Sequence, residues 1–385
     1  MARTSLDLAT LAGQLLIFGF DGTEFSPSLA GTLKTLQPGG IILFSRNIES
    51  PRQTHALLKA AEKHSAIPLF RCVDMEGGAV DRLKNAITPA PSVQEVVQAQ
   101  HRPYFREHGR LIGNEVRALG FNVDFAPVLD IRHTASLGVM GSRTVSPDAK
   151  ATAAYARQFL RGLKDAGVAG CGKHFPGLGE ANLDSHELLP VVHKSFKALW
   201  NEDLLPYRTL SRQLPLVMVA HCAFPEVTGD PLPASISRKW ITDILRKKIA
   251  YPGLVVSDDL EMGGVLKVAT IEEAAVATIA AGADLYLVCH SEDLVHRAHA
   301  AVLKEAQRSS RFRAKVETAA QRILRAKQRW PAVTKRMAAA PTDAAVNRLR
   351  QQLWEFSEQV RLTANALQAA PSAQPETLPE TPDVT

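Results

Sequence analysis

The chain has 385 residues, of which 45% are hydrophobic and 22% are charged, and this composition excludes a wholly disordered chain, a collagen-like fibre and a coiled coil. The net charge of +6 comes from 45 basic and 39 acidic residues that are scattered along the chain. No stripe of Lys and Arg interleaved with aromatic residues occurs, so we expect no nucleic-acid partner. No stretch of about 18 uncharged apolar residues occurs either, so we expect no insertion into a membrane.

The cysteines and the N-terminus predict a cytoplasmic protein. None of the four cysteines forms a CxxC pair, and each lies in or beside an apolar run, which favours buried free thiols in a reducing compartment. The N-terminal segment carries Asp7 ahead of its apolar core and lacks a small-residue cleavage site. We therefore expect no signal peptide.

Eight short apolar runs alternate with helix-compatible segments. The runs are mostly continuous in apolar residues rather than alternating, as in strands that are buried on both faces. The predicted strands are residues 15–20, 40–44, 69–74, 122–130, 170–175, 216–222, 254–258 and 284–289, and helices are predicted at 92–100, 149–166, 271–281 and 292–307. This alternation predicts an α/β fold, a (β/α)8 TIM barrel. The alternative is a doubly wound sheet, but LLIFGFDGT lacks the GxGxxG turn of a dinucleotide-binding version.

The C-terminal part of the chain differs from the rest. Residues 311–329 form an amphipathic pattern that predicts a closing helix, and 342–367 predict one more helix. The apolar positions of that last helix are Leu349, Leu353 and Phe356. The final PSAQPETLPETPDVT has four prolines and three acidic residues and predicts disorder. We therefore expect a single catalytic domain over 1–330, a helical extension over 331–370 and a disordered tail over 371–385.

Polar residues cluster where the predicted strands end. The carboxyl ends of barrel strands lie on one rim, where active sites are built, so these residues predict a site there. The alternative is that strand ends meet solvent and are polar for that reason. The residues are Asp74, Asp130, Lys173, His174, His221, Asp258, Asp259 and His290.

Residues 172–190, GKHFPGLGEANLDSHELLP, carry the most informative motif. Asp184 and His186 are two residues apart in a glycine-rich loop, where a carboxylate can hold one ring nitrogen of an imidazole. The other nitrogen is then free to give or take a proton near neutral pH. The alternative is an ordinary solvated loop.

Two further segments end strands in carboxylates. In GLVVSDDLEMGG, Asp258 can attack an anomeric carbon or hold a metal, and Asp259 is the better candidate for capping the next helix. In RCVDMEGGAVDRL, Asp74 can accept hydrogen bonds from sugar hydroxyls and Arg82 can donate one. The alternative for Arg82 is a surface ion pair with an aspartate.

The chain resembles the β-N-acetylglucosaminidases of glycoside hydrolase family 3, the NagZ type. The resemblance covers residues 10–330 in five ordered segments: VDMEGGAVDRL, NVDFAPVLDI, KHFPGLGEANLDSHELLP, VMVAH and VVSDDLEM. It implies a (β/α)8 barrel that removes non-reducing terminal β-linked N-acetylglucosamine, with no cofactor and no metal. Cytoplasmic Gram-negative members act on muropeptides with 1,6-anhydro-N-acetylmuramic acid during cell-wall recycling, which makes a muropeptide the implied substrate.

The resemblance also implies roles for individual residues. Asp258 is the implied nucleophile, and His186, paired with Asp184, is the implied general acid and base. The residues implied to hold the sugar are Asp74, Arg82, Arg143, Lys173 and His174.

The chain departs from the family pattern at two places. Thr144 and Val145 follow the arginine where the family has Ser-Phe, and Leu178 stands where the family has the His of PGHG. Neither departure removes a proposed catalytic group. Both bear on the shape of the sugar pocket and on the loop that carries His186.

Three other functions remain open alternatives. A metal-dependent hydrolase could take its ligands from His174, Asp184, His186, Asp258 and Asp259, although no HExxH occurs. A β-glycoside phosphorylase on the same scaffold would use phosphate in place of water. A non-catalytic sugar-binding protein is the third.

Overall fold

A computed structural model describes residues 6–181, 189–335 and 337–369. Eight parallel strands close into one barrel in which the order of the strands follows the order of the chain. The strands are β1 (Leu16–Phe18), β2 (Gly40–Ile42), β3 (Phe70–Val73), β4 (Val123–Asp124), β5 (Ala169–Phe175), β6 (Leu216–Val219), β7 (Leu254–Asp259) and β8 (Leu285–Val288). The ring closes where Leu16 of β1 pairs with Tyr286 of β8. The predicted (β/α)8 barrel is confirmed, and closure of the sheet excludes the doubly wound alternative.

Helices cover the outside of the barrel. The α-helices of the described residues are α1 (Leu8–Gly13), α2 (Pro27–Leu36), α3 (Pro51–Lys63), α4 (Val93–Gln98), α5 (Pro103–Ala118), α6 (Leu137–Met140), α7 (Ala149–Ala166), α8 (Phe196–Asn201), α9 (Leu205–Leu210), α10 (Pro225–Thr228), α11 (Gly263–Leu266), α12 (Ile271–Ala281), α13 (Glu292–Arg308), α14 (Ser310–Arg329), α15 (Pro331–Thr334) and α16 (Asp343–Ala369). The 3-10 helices are Ser45–Asn47, Thr134–Ser136, Gly141–Arg143 and Ala234–Ile236, and a π-helix covers Lys239–Lys248.

Local signals set the bounds of the predicted helices. At α12, the Thr270 hydroxyl accepts from the Glu273 amide while the Glu273 carboxylate accepts from the Thr270 amide, which is a capping box. The helix ends at Gly282, whose φ of 110° is readily adopted only by glycine. The prediction of 271–281 therefore matches the observed helix.

Some strands are shorter than their apolar runs. The run 122–130 predicts a long strand, but β4 ends at Asp124. Pro127 has no amide hydrogen to donate to a neighbouring strand, and only an isolated bridge from Val128 to Lys173 follows it. Asp130 therefore lies beyond the regular strand rather than within it.

The C-terminal helix α16 packs on the outside of the barrel against α4 and α5. Leu353 and Phe356 are buried, as predicted, and Leu349 is half-buried. The predicted disordered tail, 371–385, lies outside the described residues. All four cysteines are buried and free: Cys72, Cys171, Cys222 and Cys289. Among the described helices, none is sufficiently long and apolar to cross a membrane.

Candidate active site

A cavity of ≈190 Å³ opens at the carboxyl ends of the strands. Six of the site residues predicted from the sequence line it: Asp74, Arg82, Arg143, Lys173, His174 and Asp258. They come from β5, β7 and the segments that follow β3 and β4, so closure of the barrel brings together residues that are far apart in the chain. Asp184 and His186, the other two predicted residues, lie outside the described residues.

Asp258 is the penultimate residue of β7. Its Oδ1 accepts a hydrogen bond of 2.9 Å from the amide of Asp259. Burial raises the pKa of Asp258, but its interactions with His174 and His221 and with that amide outweigh it and hold the pKa below its ordinary value. The carboxylate is therefore an anion at neutral pH.

Asp259 has the opposite electrostatic surroundings. Burial, together with the nearby Glu261 and Asp258 carboxylates, raises its pKa to about 7. Its Oδ1 accepts from the Glu261 amide at 3.1 Å, and its Oδ2 lies 3.5 Å from Nε2 of His290. The pKa values of two consecutive carboxyl groups are thus shifted in opposite directions, so Asp258 is ionised over a pH range in which Asp259 still keeps its proton.

Alternating charges form a connected row on one wall of the cavity. Lys173 donates from Nζ to Oδ1 of Asp74 at 2.8 Å and lies 2.6 Å from Oε1 of Glu76. Arg143 donates to both oxygens of Glu76, each at 2.8 Å. Burial raises the pKa of Glu76, but the two cations more than offset it and hold that pKa far below its ordinary value. The row therefore contains two cations and two anions.

His174 is oriented by Asp130. Oδ2 of Asp130 lies 2.7 Å from Nδ1 of His174 and accepts from the amide of the same residue, while Oδ1 accepts from the amide of Leu178 at 2.7 Å. Because Nδ1 is engaged by the carboxylate, Nε2 is the ring nitrogen left for a ligand in the cavity. Asp130 thus fixes both the imidazole and the start of the loop that leads to His186.

Arg82 is not paired with Asp74, which is bonded to Lys173 instead. Its guanidinium lies 5.8 Å from the centre of the Phe44 ring, and its buried Nε has no hydrogen-bond partner among the described residues. Phe44 in turn stacks on His290, with 5.5 Å between ring centres. Arg82 itself lines the cavity, where its guanidinium can donate to a ligand oxygen.

The departures from the family pattern lie next to the cavity. Thr144 accepts from Arg132 through its hydroxyl at 3.3 Å and its carbonyl at 2.7 Å, while Val145 is buried in the core. Leu178 is buried and lines the cavity itself. The chain thus replaces a polar wall residue by an apolar one and anchors the segment after Arg143 through Arg132.

Two residues that organise the cavity were not among the predicted site residues. Glu76 was interpreted as part of a tight turn, and Asp130 only as a polar strand end. The available signal was position: Glu76 follows Asp74 by two residues at the end of β3, and Asp130 precedes the loop that faces Lys173 and His174. Within the described part of the chain, no three His, Cys, Asp or Glu side chains are grouped so that they could hold a metal ion.

Comparison with known proteins places the chain among glycoside hydrolases. The sequence profile of the "Glycosyl hydrolase family 3 N terminal domain" matches residues 8–326. A "Beta-hexosaminidase" of Pseudomonas aeruginosa PAO1 is 38% identical over 288 residues, which cover 74% of this chain and 86% of that protein. One from Aromatoleum aromaticum is 40% identical over 66% of this chain and 73% of its own length. The structure of a family 3 β-N-acetylglucosaminidase from Paenibacillus sp. FPU-7 has a TM-score of 0.87 at 35% identity, covering 92% of this chain and 69% of that one.

Proposed function

Because this chain belongs to glycosyl hydrolase family 3, we propose that it is a retaining exo-β-N-acetylglucosaminidase that works through a covalent glycosyl-enzyme. The chain is a glycoside hydrolase of the β-N-acetylhexosaminidase type, as its relatives' names indicate. The observation that carries the proposed mechanism is the position of Asp258, an ionised carboxylate at the end of β7 in the rim cavity. A carboxylate there can act as a nucleophile without prior loss of a proton.

The proposed reaction has two steps. In the first, an Asp258 carboxylate oxygen forms a bond to the anomeric carbon, the bond to the leaving oxygen breaks, and His186 gives that oxygen its proton. In the second, His186 takes a proton from water as the water oxygen replaces Asp258 at the same carbon. Two inversions give net retention of configuration.

An imidazole suits the acid role in this scheme. A carboxylic acid needs a raised pKa to stay protonated near neutral pH, whereas an imidazole starts near about 6.5. In this scheme Asp184, two residues before His186 in the sequence, is the carboxylate that stabilises the imidazolium. The general acid and base can thus exchange one proton per step at neutral pH.

The charged wall of the cavity is the proposed sugar site. Asp74 accepts from sugar hydroxyls, while Lys173, Arg143 and His174 donate to them; the placement of all four around one cavity supports this assignment. The position of Arg82 in the lining of the same cavity supports its role as a further donor. Neutral hydroxyls satisfy such paired charges without adding a net charge to the site.

We extend the proposal to the natural substrate and its compartment. We propose that the sugar is cleaved from muropeptides during peptidoglycan recycling in the cytoplasm. The resemblance to the NagZ type and the four buried free thiols, which suit a reducing compartment, support this. The division into a catalytic domain over 1–330, an extension over 331–370 and a tail over 371–385 is part of the same proposal, and the family match over 8–326 supports its first boundary.

A panel of nitrophenyl β-glycosides tests the proposed activity. We expect the N-acetyl-β-glucosaminide to be turned over faster than the β-glucoside and other 2-hydroxy sugars, with the β-anomer as the first product seen by NMR. Preference for a 2-hydroxy sugar would contradict the proposed substrate. An α-anomer as first product would contradict the double displacement.

A further inference from the structure

We infer that Glu76 is a positioning and specificity-determining residue: it holds Lys173 and Arg143 in place and balances their charge, so that the sugar site accepts neutral sugars and rejects anionic ones. The inference rests on the proposed function, since it assumes that Lys173 and Arg143 face the sugar. It concerns a residue that the proposed reaction does not use directly.

The Glu76 carboxylate contacts two separate parts of the barrel: Arg143 in the loop after β4, and Lys173 in β5. Its Oε2 accepts from Nε of Arg143 and its Oε1 from a terminal guanidinium nitrogen, so the Arg143 pair is bidentate. The same Oε1 lies 2.6 Å from Nζ of Lys173. A bidentate bond fixes the plane of a guanidinium, so Glu76 sets the direction in which Arg143 can donate to a ligand.

The backbone under Glu76 is held firmly. It lies in a two-stranded hairpin, Met75–Gly77 paired with Val80–Asp81, directly after β3. The Met75 amide donates to Asp124 at 2.9 Å, and Gly77 has a φ of 82° at a place where a Cβ would lie 2.2 Å from the Pro91 carbonyl oxygen. The hairpin therefore has little room to shift, and the carboxylate is presented from a fixed position.

The charges of the row cancel. Asp74 and Glu76 carry two negative charges, while Lys173 and Arg143 carry two positive ones. The side chains of Glu76 and Lys173 are only 5% and 3% exposed, so water screens these charges weakly. A neutral sugar meets a wall of donors and acceptors with no net charge. A phosphorylated sugar must give up water around its phosphate there, and both cations of the row are already engaged by carboxylates.

The net charge of the row can be changed in either direction by substitution, and this provides the test. Removing one carboxylate leaves the row with a net charge of +1, and removing one cation leaves it at −1. The ligands are N-acetylglucosamine and N-acetylglucosamine 6-phosphate, whose phosphate carries about −1.5 to −2 charges at pH 7. Ligand-observed NMR titration gives the dissociation constant of each ligand. The readout is the dissociation constant of the phosphorylated sugar divided by that of the neutral sugar.

We expect the wild-type chain to bind the neutral sugar more tightly. Glu76→Gln should lower the ratio at least tenfold, which equals about 1.4 kcal/mol. Arg143→Gln should raise the ratio, although both sugars bind more weakly. Glu62→Gln is the matched control, because Glu62 pairs with the buried Arg71 outside the cavity, and it should leave the ratio unchanged.

A purely structural role for Glu76 predicts a different pattern. Both dissociation constants would then rise together in Glu76→Gln with no change in their ratio, and that result would overturn the inference. If Glu76→Gln does not fold, Arg143→Gln decides: an increased ratio supports the inference and an unchanged ratio overturns it. A wild-type chain that neither binds nor hydrolyses β-N-acetylglucosaminides contradicts the proposed function instead, so the two failures are distinct.

Discussion

Neighbouring residues at the end of β7 differ in protonation because their surroundings differ. Asp258 faces His174, His221 and Lys173, whereas Asp259 is buried beside the Glu261 and Asp258 carboxylates. The place of Asp258 at a strand end predicted a carboxylate that can attack an anomeric carbon or hold a metal, and the family resemblance implied that it is the nucleophile. It could not predict the raised pKa of Asp259, because that depends on which side chains surround it once the barrel has closed.

The raised pKa of Asp259 has a consequence for stability. The folded chain keeps this proton up to about pH 7, while an unfolded aspartate loses it near about 3.9, so stability decreases as the pH rises through that window. Asp259→Asn removes this dependence. We expect the free energy of unfolding of the variant, taken relative to that of the wild type, to be about 2 kcal/mol higher at pH 9 than at pH 5.

Urea unfolding at both pH values checks this expectation. Asn keeps a side-chain oxygen that can accept from the Glu261 amide, so the hydrogen bond of that residue is retained. The difference in the free energy of unfolding between wild type and variant should change between pH 5 and pH 9. A difference that is the same at both pH values would contradict a raised pKa of Asp259.

The proposed acid role of His186 predicts a dependence on the leaving group. We expect His186→Ala to lose about 10²–10⁴ in rate on a natural disaccharide, because an alkoxide leaves poorly without a proton. The loss on a nitrophenyl glycoside should be much smaller, since nitrophenolate needs little protonation. Steady-state kinetics on both substrates measures this, and equal losses would argue against the acid role.

At the scale of elements, helix α16 supports the segment that carries Arg143. It packs on α4, and α4 contacts the 3-10 turn Gly141–Arg143. The buried face of α16 includes Phe356, whose ring meets Tyr104 edge-on at 5.5 Å between centres. The extension therefore braces the catalytic barrel near one wall of the cavity.

Substitutions on the two faces of α16 should differ sharply. Phe356 is 3% exposed and Trp354 is 60% exposed. We expect Phe356→Ala to lower the free energy of unfolding by about 3 kcal/mol, because it leaves a cavity against α5. Trp354→Ala, the control, should change it by less than about 0.5 kcal/mol. Similar losses in denaturant unfolding for both variants would contradict the packing of α16.

The elements themselves were largely predictable, and the contacts between them were not. Buried parallel strands are continuous apolar runs, so all eight strands could be located, and α7 and α12 have the predicted bounds. The ends of the strands were harder to predict, because a proline such as Pro127 limits the strand even where the apolar run continues. The contact of Glu76 with Arg143 spans 67 residues, and that of Lys173 with Asp74 spans 99, so no local pattern encodes either one.

At the scale of the whole molecule, barrel closure creates the site. The cavity takes its walls from strands on opposite sides of the ring, such as β2 and β6, from β5, β7 and β8, and from the loops at the same end of the barrel. Paired cations and anions, rather than a cluster of metal-ligating side chains, make up its described polar wall. The proposed reaction uses water as the acceptor and involves neither a metal nor phosphate.

Two additions to the assay test that reaction as a whole. We expect a strong chelator such as EDTA to leave the turnover of a nitrophenyl N-acetyl-β-glucosaminide unchanged. We also expect phosphate to leave the rate unchanged and to give no sugar phosphate product. Loss of activity with the chelator that added metal restores would favour a metal-dependent hydrolase, and a sugar phosphate product would favour a phosphorylase.

The covalent bond at Asp258 is open to direct observation. An N-acetylglucosamine derivative with one fluorine at C5 and a fluoride leaving group at C1 can trap the intermediate. The C5 fluorine slows both steps, since it destabilises an oxocarbenium-like transition state. The good leaving group keeps the first step faster than the second, so the glycosyl-enzyme accumulates. Peptide mass spectrometry of the trapped chain should then find one sugar residue on Asp258. A sugar on Asp259 or on any other residue, or turnover with no trapped species and inverted product, would contradict the account.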